Sequence, residues 1–273
     1  MKRIAVLLIA IPLLFGCKTG MTWEKVAMDG HRIGATAPSA DNVPEALGTV
    51  DSSGVYTAPN GTVFSTGSTP KVAKLLIDAQ PAMASVKEVI AFSTHRMSAH
   101  IPESELSNFI VDMLRSETER IVKRKVDVAI SNFGGIRVDM PEGDVLLDDI
   151  RSMFPFNNKI CYVELPGKEL LHLMDEVAEF GPQCLSGVKL VIADKKVESL
   201  EVGGKPVDPK KKYGVATVDF LLDGGDNIHV GRGATKLIIT EDIIGHVIEQ
   251  YIRNMTAEGK AIEYKTDGRV VIK

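Results

Sequence analysis

Only three cysteines occur in the 273 residues, and no histidine stands at ligand spacing from Cys161 or Cys184, which excludes a Cys/His zinc site. Lysine and arginine together number 32 against 36 acidic residues, a net charge of −4. That balance leaves no basic footprint for sequence-independent binding of DNA or RNA. Beyond the first fifteen positions no apolar run approaches the ~18 residues that span a bilayer. The Gly-x-Ser-x-Gly elbow of serine hydrolases is absent. Aromatics make up 5% of the chain, so those that stand beside turns invite attention.

What is present begins with a leader. Lys2 and Arg3 form a short positive region, and Ile4 through Phe15 an apolar core too short to span. Leu14-Phe15-Gly16-Cys17 resembles the lipobox of bacterial lipoproteins, in which the cysteine is lipidated and the chain is cut before it. Residues 1–16 are therefore expected to be a signal peptide, and Cys17 to anchor an exported, periplasmic or cell-surface protein to a membrane. Loss of Lys2 and Arg3 leaves 30 basic against 36 acidic residues, a net charge of −6. Disulfides form in such a compartment. Cys161, however, sits in the apolar run Ile160-Cys161-Tyr162-Val163, so a buried thiol and a Cys161–Cys184 bridge both remain open.

Residues 17–69 are rich in turn formers and read as a tether, with a hairpin at Asn60-Gly61 between Val55-Tyr56 and Val63-Phe64. Residues 70–273 read as one domain. Helices are expected from Pro70 to Ala79, from Glu103 to about Arg120, near 147–152, over 167–178 and from Glu241 to about Met255. Strands are expected at 86–92, 126–130, 159–165, 187–192, 197–202, 212–219 and 268–272. Interspersed strands and helices, with paired strands late in the chain, give an α+β class.

Three stretches combine an aromatic with turn chemistry. They are Ser131-Asn132-Phe133-Gly134-Gly135-Ile136-Arg137, Phe154-Pro155-Phe156-Asn157-Asn158, and Asp219-Phe220 through Gly224-Gly225-Asp226-Asn227. Singly, each reads as a turn beside a core aromatic rather than as a site. In this order they resemble the C-terminal domain of the 5′-nucleotidase family. Asn132–Arg137 matches its Asn-Gly-Gly-Gly-Ile-Arg run, with Phe133 in a glycine's place. Phe154–Asn158 matches Phe-Pro-Phe-Gly-Asn, with Asn157 for glycine. Asp219–Asn227 matches Asp-Phe-Leu-x-x-Gly-Gly-Asp-Gly, with Asn227 for the last glycine. Leu106 to Asp112 and Leu165 to Leu170 resemble two further family patterns.

The resemblance implies a mixed α/β sandwich of layered helices and sheets that grips a nucleoside or nucleotide. Phe156 and Phe220 would stack the base, Asp226 would accept from ribose hydroxyls, Asn132 would read a base edge, and Arg137 would face the phosphate side. A second phosphate-binding arginine of the family falls at His100, with Arg96 four residues earlier, which predicts weaker or pH-dependent phosphate affinity.

The resemblance also implies a metallophosphoesterase half, which this sequence is expected to lack. Asp29-Gly30-His31 matches one fragment of its signatures without the partners, so no catalytic residue and no metal site is expected in this chain. Divalent metals are expected only in a separate metallophosphoesterase partner. Three roles follow from the resemblance: the nucleotide-binding half of a split 5′-nucleotidase, a non-catalytic nucleoside- or nucleotide-binding lipoprotein, or a surface scaffold without ligand.

Overall fold

Asn60-Gly61 turns the chain as its residue types require. In the computed structural model, which describes residues 42–273, Gly61 takes φ +83°, a conformation open to glycine at little cost. A short helix, α1 (Val43–Leu47), precedes three two-residue strands, β1 (Thr49–Val50), β2 (Tyr56–Thr57) and β3 (Val63–Phe64). They pair antiparallel in sequence order, with Tyr56 opposite Phe64. A longer helix, α2 (Ser68–Met83), follows. The described residues up to Gln80 form one compact unit and those from Pro81 a second.

The second unit starts with β4 (Val89–Ser93); the residues before it, Ala84–Lys87, make a 3-10 turn, so this strand starts later than expected. Helix α3 (Glu105–Val122) begins where Ser104 accepts a bond from Ser107 N at 3.2 Å and the Ser107 hydroxyl accepts from Ser104 N at 2.9 Å. Reciprocal capping of this kind satisfies two orphan donors. Leu106, Phe109, Ile110, Met113 and Leu114 form its buried stripe. Then come β5 (Val128–Ser131), β6 (Gly143–Leu146), α4 (Leu147–Met153), β7 (Lys159–Pro166), α5 (Gly167–Phe180), β8 (Cys184–Ser186), β9 (Val188–Ala193), β10 (Lys196–Val202), β11 (Lys205–Pro206) and β12 (Lys212–Val218). The chain closes with β13 (Lys236–Ile243), α6 (Ile244–Ala257) and β14 (Val270–Ile272).

Five strands make the main sheet, in the order β13-β7-β12-β5-β8. β12 and β5 run parallel; the other pairs are antiparallel. Four more form β11-β10-β9-β14, and β4 pairs with β6. Helix and strand mix as an α+β fold does. The expected helix start at Glu241 is corrected: residues 236–243 are a strand paired to β7, and α6 begins at Ile244. The β-branched run Ile238-Ile239-Thr240 favours a pleated surface, and β7 supplies the partner.

The sheet order also settles the cysteines. Cys161 lies on β7 opposite Thr217 of β12, and Cys184 on β8 opposite Ser131 of β5. Three strand spacings separate them, about 14 Å at the usual ~4.8 Å each, twice the reach of a disulfide. Both are buried thiols, and burial pushes Cys161 up to about 12.

The last strand is fastened by charge. The Arg269 guanidinium donates to both oxygens of Asp112, at 2.7 and 2.9 Å, and to Asp267 at 2.8 Å. Ser186 and Tyr264 hydroxyls also donate to Asp112. Burial alone would raise the Asp112 carboxyl, but these donors hold it below its ordinary value.

Candidate functional site

β5 ends in a 3-10 turn over Phe133–Gly135. Gly135 N returns to Asn132 O at 3.1 Å, and a Cβ on Gly135 would lie 2.7 Å from Asn132 Oδ1. Glycine therefore lets the amide fold back over its own turn. Asn132 is buried; its Nδ2 donates to Asp226 Oδ2 at 2.8 Å, while its Oδ1 has no partner among the described residues. Arg137 is tied by its backbone to Met153 O at 3.0 Å, and its guanidinium donates to Gly134 O at 3.2 Å. The guanidinium also lies 5.9 Å from the centroid of the Phe156 ring, within cation–π range.

Phe154 packs against the core, and Phe156, two residues on, stands 47% exposed. At the end of β12, Phe220 sits on the 3-10 turn Asp219–Leu221 and is 46% exposed. Exposed aromatics held on short turns present faces that the core has not claimed. Gly225 is packed beneath Phe220: a Cβ there would fall 2.1 Å from Phe220 O and 2.8 Å from its ring. Asp226 and Asn227 then take left-handed conformations, φ 52° and 61°. Asp and Asn tolerate that region better than other side chains, so Asn227 fills a glycine position without breaking the turn. Phe133 and Asn157 have ordinary negative φ, so their positions need no glycine.

Asn132, Arg137, Phe156, Phe220 and Asp226 all line one slot of ≈ 270 Å³. It joins the end of β5, the loop after α4 and the turns after β12. Gly134, Gly135 and Asn158 complete its wall. Asn158 is a residue that sequence reasoning passed over: its half-buried amide has no partner among the described residues. Its place at the end of the Phe154–Asn158 run was the available signal. Because Asn132 gives its amide donor to Asp226, the Asn158 amide is the freer of the two.

His100 is not among the slot-lining residues. It is exposed, on the segment before α3, where its backbone N donates to the capping Ser104 hydroxyl at 3.3 Å. Arg96 pairs with Asp139 at 2.7 Å and shares with Arg137 an open groove beside the slot, also lined by Glu142 and Asp149. Among the described residues no three His, Cys, Asp or Glu side chains gather as a metal ion would require. Cys17 and Asp29-Gly30-His31 lie outside the described residues.

A family model described as 5′-nucleotidase, C-terminal domain, matches residues 82–231. Protein UshA of Escherichia coli (strain K12) is 30% identical over 149 residues, 53% of this chain and 27% of UshA. A 5′-nucleotidase of Vibrio cholerae is 31% identical over 135 residues, 48% of this chain and 24% of that protein. Among solved structures, the 5′-nucleotidase precursor of Thermus thermophilus superposes with a TM-score of 0.64 at 26% identity. That match covers 74% of this chain and 43% of the other. Haemophilus influenzae NAD nucleotidase shares the fold, with a TM-score of 0.58 at 17% identity over 80% of this chain and 48% of its own. The chain spans about a quarter of the length of these curated relatives and under half of these structures.

Proposed function

We infer the function from one premise: this chain belongs to the 5′-nucleotidase C-terminal domain family. It is the nucleotide-binding half of a split 5′-nucleotidase, held at a membrane by a lipid on Cys17. It presents a nucleoside monophosphate to a separate metallophosphoesterase chain. The observation that carries this reading is the slot, in which two half-exposed phenyl rings, an arginine and a carboxylate converge from three separate segments. Phe156 and Phe220 receive the base, since base stacking on an aromatic tolerates any base and stabilises by about 1–3 kcal/mol. Asp226 accepts from the ribose hydroxyls, and its bond from Asn132 holds the carboxylate in place. Asn158 meets the base edge with either its donor or its acceptor.

Arg137 attracts the phosphate, while Arg96 in the neighbouring groove is held by Asp139. This chain binds and orients. Divalent metals held by the partner supply the activated water.

One observation favours a second reading, a stand-alone nucleoside-binding lipoprotein. Arg137 is the one cation lining the slot among the described residues, and it is already engaged with Gly134 O and Phe156. Calorimetric titration with adenosine and its monophosphate separates the two. The split-enzyme reading expects tighter binding of the monophosphate, no phosphatase turnover by this chain alone with Mn²⁺ or Zn²⁺, and turnover once an exported metallophosphoesterase is added. Equal affinities and no gain on addition would support the stand-alone role, and no binding of either ligand would sink both.

A further inference from the structure

The net negative charge conceals a strong local asymmetry. β5 and β12 run towards the slot, and β7 and β13 run so that the start of β13 meets the end of β7. The residues before β5, before β12, after β7 and at the head of β13 therefore gather at the far end of the main sheet. Each of these segments carries lysine or arginine. Lys123, Arg124 and Lys125 precede β5; Lys210 and Lys211 lead into β12 at Lys212; Lys168 follows β7; Lys236 opens β13.

Backbone contacts hold these segments together. A Cβ on Gly214 would lie 2.1 Å from Lys125 O. Gly167 N donates to Lys211 O at 2.7 Å and Lys168 N to Pro209 O at 3.2 Å. Some of the charge is neutralised, since Lys125 pairs with Asp127, Lys212 with Glu164 and Lys168 with Glu169. Lys123, Arg124, Lys210 and Lys236 make no ion pair among the described residues, and Lys211 lies over the Tyr213 ring instead of a carboxylate. A fold that draws cations from four chain segments to one end, and leaves several of them without an ion pair, builds a surface that an anionic partner complements.

We propose that this end docks on an anionic phospholipid surface. Basic residues near such a surface each contribute to adsorption, and the attraction fades within a Debye length. The remainder of the mature body carries the acidic excess, so an anionic bilayer repels it and accepts this end alone. Adsorption is thus oriented, and it turns the slot, at the opposite end of β5 and β12, away from the lipid towards incoming ligand. The choice of a bilayer over other polyanions rests on the reading of Cys17 as a lipid attachment site, which mass spectrometry of the native chain for acylation tests on its own.

The docking test uses the leaderless chain with Cys17→Ser, so that no lipid contributes. Its co-sedimentation is measured with vesicles of phosphatidylethanolamine and phosphatidylglycerol, and with phosphatidylcholine vesicles, at low and high salt. Binding is expected on the anionic vesicles alone, falling steeply with salt. The combined variant Arg124→Glu, Lys210→Glu, Lys236→Glu should weaken it by roughly tenfold or more. A variant with the same charge change elsewhere, Lys196→Glu, Lys260→Glu, Lys265→Glu, should lose much less. Unchanged nucleoside affinity in both variants shows that they are folded. Equal losses in the two variants, equal binding to neutral vesicles, no binding at low salt, or tighter binding to duplex DNA than to vesicles would each overturn the proposal.

Discussion

Two polar clusters in the second unit contrast in how they end. Around Arg269 every strong group is answered from within: the guanidinium spans Asp112 and Asp267, and Asp112 takes further donors from Ser186 and Tyr264. Around the slot the groups are left open. Two phenyl rings face solvent, the Asn158 amide lacks a partner, and the buried Asn132 Oδ1 accepts nothing among the described residues. A buried polar atom without a partner is costly, about 1–3 kcal/mol; the buried Thr118 and Thr217 hydroxyls are left so as well, and Asn132 differs from them in lining the slot. The closed cluster fastens the last strand to α3, and the open one leaves its groups for the ligand proposed above.

The sharpest way to break this contrast is to open the closed cluster. Asp112→Asn leaves a mostly buried Arg269 half-paired, and a loss of about 3 kcal/mol is expected in chemical denaturation, with nucleoside affinity of the folded fraction unchanged. The same group sets an acid limit. Because the folded carboxyl is held below its unfolded value, its contribution is complete above about pH 4 and disappears as pH falls through the folded value. Wild type should therefore lose stability below about pH 4 more steeply than Asp112→Asn. Parallel pH curves would remove Asp112 from that role.

At the slot the pattern should invert, with affinity lost and stability kept. Phe220→Ala is expected to weaken nucleoside binding by about 1–3 kcal/mol in calorimetry. A large drop in melting temperature with no change in affinity would make Phe220 a structural residue. Arg137→Ala should weaken the monophosphate by about 1.5 kcal/mol and the nucleoside by less; equal losses would move Arg137 away from the phosphate. His100→Ala, outside the slot, should change neither affinity by more than about 0.5 kcal/mol, and a tenfold loss on the monophosphate would bring His100 back to the ligand.

Much of the fold was legible because it is periodic. The apolar spacing from Leu106 to Leu114 specified α3, and Asn60-Gly61 specified its hairpin. β13 was not legible, since Leu237-Ile238-Ile239 reads as strand or buried helix until β7 is known to lie beside it. The slot was legible as five residues and a family likeness. Its sixth expected member, His100, was not removable from sequence, because only the capping of α3 shows where that segment goes.

By itself the sequence determined the turn chemistry: which glycines free the backbone, which residues tolerate a left-handed φ, and which aromatics stand beside them. Such constraints act between near neighbours along the chain, so they can be read there. Tertiary structure alone decided that Cys161 and Cys184 stay thiols, that Asn132 spends its donor on Asp226, and that scattered lysines share one end of a sheet. Those outcomes depend on strand order, and strand order places together residues that no local pattern connects.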